Sequence, residues 1–405
     1  MRIGVKRGLP YFYRILGVFM RIGVVTYYWA QDNYGQLLQA YALQRYLREA
    51  GHEAFVIRYR RDGDYIRTPF LLRVCKALNP VKLYNYLAGR WRQRRAEQDL
   101  AAHPRGFDEF RARYLQFSPR EYSSWTELQA DPPEADAYIV GSDQMWNFGG
   151  EQAELRRVRR LVHANFLDFG APEVHRLSYA ASWSVQSLRP ELIEEIRPLL
   201  AKFDYVSVRE KKGVELCAQC GRPDAEWVPD PTFLLEPERY RELYRAEHVQ
   251  VPQRPYLLLY MLANGYSFPV EKAYEWAEAH GMDVVFVTGN SELTSKAAYL
   301  TIPEWLGYVD GAAAVLTNSF HCAVFATQFR RPFGVVPLTG PNAGMNSRME
   351  ALFQLTGQPE RYVRTPKDLT WLEQATEPEY SFDKGQFARV LAGLADQKNV
   401  EADKA

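Results

Sequence analysis

Four short stretches of this 405-residue chain gather residue types suited to polar chemistry, each where an apolar, β-prone run gives way to a loop or helix. In Thr317-Asn318-Ser319-Phe320-His321 the histidine falls in the first turn of an expected helix. The positive end of the helix dipole disfavours a standing proton there, leaving an imidazole that can take one and return it. Ser207-Val208-Arg209-Glu210 sets an arginine at a strand end, from which a planar guanidinium can fork onto a phosphate or carboxylate. The plainer alternative is a surface salt bridge with Glu210. Gly141-Ser142-Asp143-Gln144-Met145-Trp146-Asn147 is a dense polar run around an aromatic, closer to substrate contact than to turn chemistry. Asn33-Tyr34-Gly35 precedes another helix, where Gly35 admits close backbone approach and free N–H groups face an anion. A helix cap by Asp32 or Asn33 competes with that reading. Asn318, Ser319 and Arg348 complete the expected substrate-binding set.

Absent motifs narrow the chemistry. No G-x-G-x-x-G follows the first strand and no Walker loop occurs, which argues against nicotinamide oxidoreductases and P-loop kinases. With no H-E-x-x-H and no His/Asp cluster, neither a metal nor a cofactor is expected. Lys and Arg (50) balance Asp and Glu (49), so a net charge of +1 offers no global case for nucleic acid as a partner. Four cysteines are too few for a disulfide scaffold, and Cys217-Ala218-Gln219-Cys220 reads as two helix-end thiols rather than as a zinc or redox site.

The elements around these stretches say how they are positioned. An apolar strand over 22–27, a polar loop, a helix striped by Leu37, Leu38, Tyr41, Ala42, Leu43 and Leu47, and a strand over 53–59 make a βαβ unit. The same alternation returns at 137–140, 176–181, 205–208 and 225–228. After a proline-rich link it starts again at 256–261, 283–287, 313–316 and 333–336. The fold class is therefore α/β, with two Rossmann-like domains whose parallel sheets face a cleft. We expect an N-terminal extension at 1–19, a first domain at 20–245 with a basic helical insert at 67–118, a second domain at 246–395, and a tail at 396–405. Ligands of such sheets lie beyond the carboxyl ends of the strands, where all four polar stretches fall. The extension is set apart because Met1-Arg2-Ile3-Gly4-Val5 recurs as Met20-Arg21-Ile22-Gly23-Val24. It carries no small-residue cleavage pattern, and no apolar run reaches the roughly 18–20 residues of a spanning helix, so a cytoplasmic location is expected.

One segment breaks the alternation. Residues 67–95 hold Arg67, Arg73, Lys76, Lys82, Arg90, Arg92, Arg94 and Arg95, no acid, and interleaved Leu, Tyr and Trp side chains. The plain reading is a helical excursion with a solvated basic side. The other is an interfacial helix giving peripheral contact with the inner membrane face.

Taken in order, six segments resemble the polysaccharide pyruvyl transferase family. They are Asn33-Tyr34-Gly35 with Leu38-Gln39-Ala40-Tyr41-Ala42-Leu43, then Val140 to Asn147, Ser178-Tyr179-Ala180-Ala181-Ser182, Ser207-Val208-Arg209-Glu210, Pro229-Asp230-Pro231-Thr232, and Thr317 to His321. The resemblance implies a fold similar to GT-B glycosyltransferases. It implies transfer of pyruvyl from phosphoenolpyruvate to two hydroxyls of a sugar, giving a pyruvate ketal in surface or exopolysaccharide biosynthesis. The family's donor-site arginine and histidine map onto Arg209 and His321, the expected catalytic residues. Phosphoenolpyruvate would be the donor, and a sugar or lipid-linked oligosaccharide the acceptor. From their positions, Asp143 would accept a hydroxyl proton and Trp146 would stack on the sugar, with a structural role as the alternative for both. Cys322 departs from the glycine that many members carry after the histidine, and could narrow the pocket. The alternatives are a GT-B glycosyltransferase using a nucleotide-sugar, or a non-catalytic glycan-binding member of the fold.

Overall fold

The computed structural model of the protein describes residues 20–64, 80–150, 154–262, 265–288 and 298–402; the extension at 1–19 and positions 67–79 of the basic insert lie outside the described residues. Strands β1 (Arg21–Val25), β2 (Glu53–Tyr59), β3 (Phe117–Tyr122), β4 (Ala137–Val140) and β5 (His175–Ser178) form a parallel sheet in the order β3-β2-β1-β4-β5. Bridges from Leu177 to Tyr205 and from Ala181 to Val208 continue it to β6 (Ser207–Val208) and β7 (Glu226–Trp227). Strand order reverses between β1 and β4, which leaves a crevice at their carboxyl ends. The second domain holds β8 (Tyr256–Met261), β9 (Asp283–Thr288), β10 (Ala314–Thr317) and β11 (Phe333–Val335), all parallel, in the order β11-β10-β8-β9. Its reversal lies between β8 and β10. Every residue of β8 is buried, as expected of a parallel strand covered on both faces. The expected α/β fold, with two Rossmann-like domains of parallel strands, is the one observed.

The helix Tyr34–Glu49 joins the two domains because it is apolar on two sides. Leu43 and Leu47 pack with Ile22 and Val24 of β1, while Tyr34, Leu37, Leu38 and Tyr41 enter a core shared with Tyr240, Trp305 and Phe325.

Two parts of the architecture differ from the expected layout. The edge strand β3 begins at Phe117, so residues 117–118, expected at the end of the helical insert, belong to the sheet. Pro119, Arg120 and Glu121 hide the strand from a hydrophobic pattern, and a proline is tolerated there because an edge strand has one ladder to satisfy. The helix Gln386–Ala402 crosses back to the first domain, where Phe387, Leu391, Leu394 and Ala395 pack with Met20, Ile22 and Leu47. Residues 386–395 thus share the core of the first sheet, although they were grouped by sequence with the second. Cys217 and Cys220 are free and buried, and burial pushes both thiols up to about 12, as inert packing residues.

Candidate functional site

The carboxyl ends of β4, β6 and β7 converge with the helix that follows β10, and Asp230 stands where they meet. Its Oδ2 accepts from Arg209 Nη1 at 2.8 Å and from Ser142 Oγ at 2.9 Å. His321 Nε2, from the other domain, lies 3.4 Å from the same oxygen. Oδ1 accepts from the backbone N–H and hydroxyl of Thr232, at 3.0 and 2.8 Å. Burial pushes the Asp230 carboxyl up, but His321, Arg209 and the Thr232 N–H outweigh it and hold the group far below the usual carboxylate range. A fixed anion therefore ties the arginine of one domain to the histidine of the other.

Arg209 is 1% exposed, so the ion pairing weighed from sequence is present but buried, with Glu210 at 3.8 Å and Asp230 at 2.8 Å. Burial disfavours its charge, yet Asp230, Glu210 and Asp143 more than restore it. Nη1 also donates to Ser142 Oγ at 3.2 Å, and Trp227 Nε1 donates to the Arg209 carbonyl at 3.0 Å. Arg209 Nε and Nη2 are buried without a hydrogen-bond partner, as are His321 Nε2 and Glu210 Oε2. Orphaned donors on a buried guanidinium are costly, which marks a place built to receive an acceptor. Arg348 comes from the helix Ser347–Leu355 and lies 5.8 Å from the centre of the Phe320 ring, which Arg209 approaches to 4.8 Å. Its surroundings are dense although part of its surface still meets solvent; burial and then the neighbouring Arg209 push it down to about 10. Two repelling guanidiniums beside one ring favour an anion between them.

His321 sits in the first turn of the helix Phe320–Gln328, as the sequence predicts. Its ring lies directly on Gly35, where an added Cβ would overlap Nδ1 and Cγ. Close approach is thus the role of Gly35, with a partner inside the protein. Gly35→Ala should displace the His321 ring, lower activity and cost about 1–3 kcal/mol of stability, because the overlap reaches His321 Cβ and the two helices must shift apart. Activity assays alongside thermal unfolding check this, and wild-type turnover would show that the ring position is not needed.

Ser142 and Asp143 line the same place. Asp143 adopts φ 68°, a left-handed conformation that Asp tolerates better than most residues, and its Oδ2 accepts from Gln36 Nε2 at 3.3 Å. Gln144 reaches the second domain, with Nε2 3.6 Å from Met345 Sδ. Other expected contacts are structural. Trp146 is fully buried, stacked on Phe166 at 4.8 Å, and its Nε1 donates to the Asn165 carbonyl, so it has no face for a sugar. Tyr34 is likewise buried; it stacks on Trp305 at 5.1 Å and its hydroxyl donates to the Leu300 carbonyl at 2.7 Å. Asn33 caps the helix by accepting from Gln36 N–H at 3.2 Å. Asn318 clamps the end of β8 through both the N–H and the carbonyl of Leu262. Ser319 is the N-cap position of the histidine helix, and its backbone N–H donates to Thr317 Oγ1 at 3.0 Å. Cys322 packs in the core with Ala323 and Phe325 instead of narrowing the site.

Asp230, Gln36, Phe320 and Glu210 were not singled out as site residues from sequence. Asp230, Glu210 and Phe320 carried a signal, since each lies within a segment that resembles the family, and Asp230 is also a carboxylate set between two prolines.

The fold and site define a two-domain α/β protein with a buried, arginine-rich site between parallel sheets. The sequence model of the polysaccharide pyruvyl transferase family matches residues 33–338, and the chain belongs to that family. No curated protein matches it. Among solved structures, UDP-GlcNAc 2-epimerase from Methanocaldococcus jannaschii is similar at 11% identity, over 93% of this chain and 100% of that one, with a TM-score of 0.47. The UDP-GlcNAc 2-epimerase of Neisseria meningitidis bound to UDP-GlcNAc aligns at 9% identity over 93% and 100% of the two chains, with a TM-score of 0.43. An alpha-glucosyltransferase in complex with UDP and DNA aligns at 8% identity over 92% and 99%, with a TM-score of 0.39.

Proposed function

We propose that this family member transfers pyruvyl from phosphoenolpyruvate to two hydroxyls of a sugar, forming a pyruvate ketal in surface or exopolysaccharide biosynthesis. The carrying observation is the buried Arg209, whose Nε and Nη2 lack hydrogen-bond partners while Arg348 stands beside the same Phe320 ring. A donor with a carboxylate and a phosphate suits two guanidiniums. Arg209 and Arg348 meet the donor's charge in this reading, so no metal is assigned a role. His321 delivers a proton to the methylene carbon, leaving an oxocarbenium-like centre that one sugar hydroxyl attacks. Phosphate then departs and the second hydroxyl closes the ketal. In this reading Asp143 accepts the proton of the first hydroxyl, and His321 takes back that of the second. The acceptor is a sugar or a lipid-linked oligosaccharide, and a donor drawn from central metabolism goes with a cytoplasmic site of action.

The test is phosphate release from phosphoenolpyruvate across a glycan panel, with product mass showing the added pyruvate ketal. Release of a nucleoside diphosphate with a nucleotide-sugar as the only donor, or no turnover with any glycan, would sink the reading. Arg209→Lys should weaken phosphoenolpyruvate binding by about tenfold or more, because an ammonium keeps the charge but loses the planar fork. Titration of both proteins decides it; equal affinities would place Arg209 outside the donor site.

A further inference from the structure

Within the insert the structure describes the helix Pro80–Ala102. Six large apolar side chains are exposed among the described residues, and four of them lie on this helix: Leu83 at 38%, Tyr84 at 71%, Leu87 at 55% and Trp91 at 60%. Their spacing is not random. Residues 83, 87 and 91 are one turn apart, and 84 lies three residues before 87, so all four share one stripe. Arg90 and Arg94, both exposed, stand three residues beyond Leu87 and Trp91 on the margin of that stripe. From Pro80 to Ala96 the sequence holds Lys82, Arg90, Arg92, Arg94 and Arg95 and not a single acid.

We propose that this stripe docks on an anionic lipid surface, with Leu83, Tyr84, Leu87 and Trp91 entering the headgroup boundary and Arg90 and Arg94 pairing with lipid phosphates. The charge pattern selects this occupant. An apolar stripe meant for another protein needs no cations beside it, whereas a leaflet of anionic lipids attracts Arg90 and Arg94, and the acids Glu97 and Asp99 follow only beyond them. No helix of the described residues is long and apolar enough to cross a membrane, so the contact is peripheral.

The base of the insert gives the docking a consequence. Phe107, in the helix Phe107–Tyr114 that follows, packs against Tyr34 at 5.3 Å. Tyr34 is the neighbour of Gly35, on which His321 rests. A helix of 23 residues, about 35 Å long, thus carries the proposed lipid contact and ends five residues before Phe107 in the chain. Docking goes beyond the transfer reading and is measured without any substrate, so either can fail alone.

The experiment is co-sedimentation of the full chain with vesicles of phosphatidylcholine alone and of phosphatidylcholine mixed with phosphatidylglycerol. Binding to the anionic vesicles alone, fading as salt is raised, is expected, because the reach of exposed charges shrinks to about 8 Å at physiological ionic strength. Each cation near the surface is worth about fivefold in partitioning, so R90Q with R94Q should weaken binding about 25-fold. L83S with L87S should also reduce it, while the transfer activity towards a soluble glycan stays at the parent level. Equal binding to both vesicle types, no binding at low salt, or indifference to both double variants would overturn the proposal. So would a self-association in vesicle-free buffer that these variants abolish, which would assign the stripe to a protein contact.

Discussion

His321→Ala should lower pyruvyl transfer by about 10²–10⁴-fold, the usual loss for a general acid or base, while the protein still folds. The expectation rests on three features of one ring. Nδ1 is covered by Gly35, Nε2 is buried without a hydrogen-bond partner, and Asp230 Oδ2 stands 3.4 Å from that nitrogen. Asp230 stays ionised, so it can support a positive ring during the step in which His321 holds a proton. The rest of the helix Phe320–Gln328 keeps its packing through Ala323, Val324 and Phe325, so unfolding should shift little. Single-turnover assays with phosphoenolpyruvate, beside thermal unfolding of the same preparations, separate the two effects. Near-parent turnover would remove His321 from the chemistry.

Asp230→Ala is the second large effect, and it should fall on stability as well as on activity. Removing one partner of a buried ion pair leaves an uncompensated charge, which costs about 3–5 kcal/mol. Arg209 would keep its bond to Ser142 and the more distant Glu210, at 3.8 Å, but lose its nearest anion. Asp230→Asn should cost less, because its remaining oxygen can still accept from Thr232 or Ser142. The pH dependence has a definite sign. The folded-state carboxyl is depressed, so its stabilising contribution is complete above the ordinary aspartate range, near pH 4, and is lost as pH falls towards the depressed value. Urea unfolding of the parent should therefore weaken on acidification through this range, and the slope should lessen in the alanine variant. Identical acid profiles, or an alanine variant as stable as the parent, would show that Asp230 is not the charge partner on which Arg209 depends.

Local sequence was enough for the alternation of strands and helices, because burial on one stripe or along a short strand is written in the spacing of apolar residues. It also pointed to Arg209 and His321 as candidates, since Arg209 directly follows β6, His321 opens the helix after β10, and strand ends are where open sheets bind ligands. The edge strand β3 escaped because Pro119, Arg120 and Glu121 give it no apolar alternation. The return of Gln386–Ala402 to the first sheet escaped because an apolar stripe does not say which of two cores it will enter. Loop residues were the least legible. Ser142 and Trp146 are four residues apart, yet one faces Asp230 and the other is sealed behind Phe166, a difference made by the backbone turn at Asp143. Only the tertiary structure could make Asp230 the hub of the site. Its partners lie 88, 21 and 91 positions away in the chain, at Ser142, Arg209 and His321, and a contact of that kind exists only after two sheets have reversed their strand order and closed on one cleft.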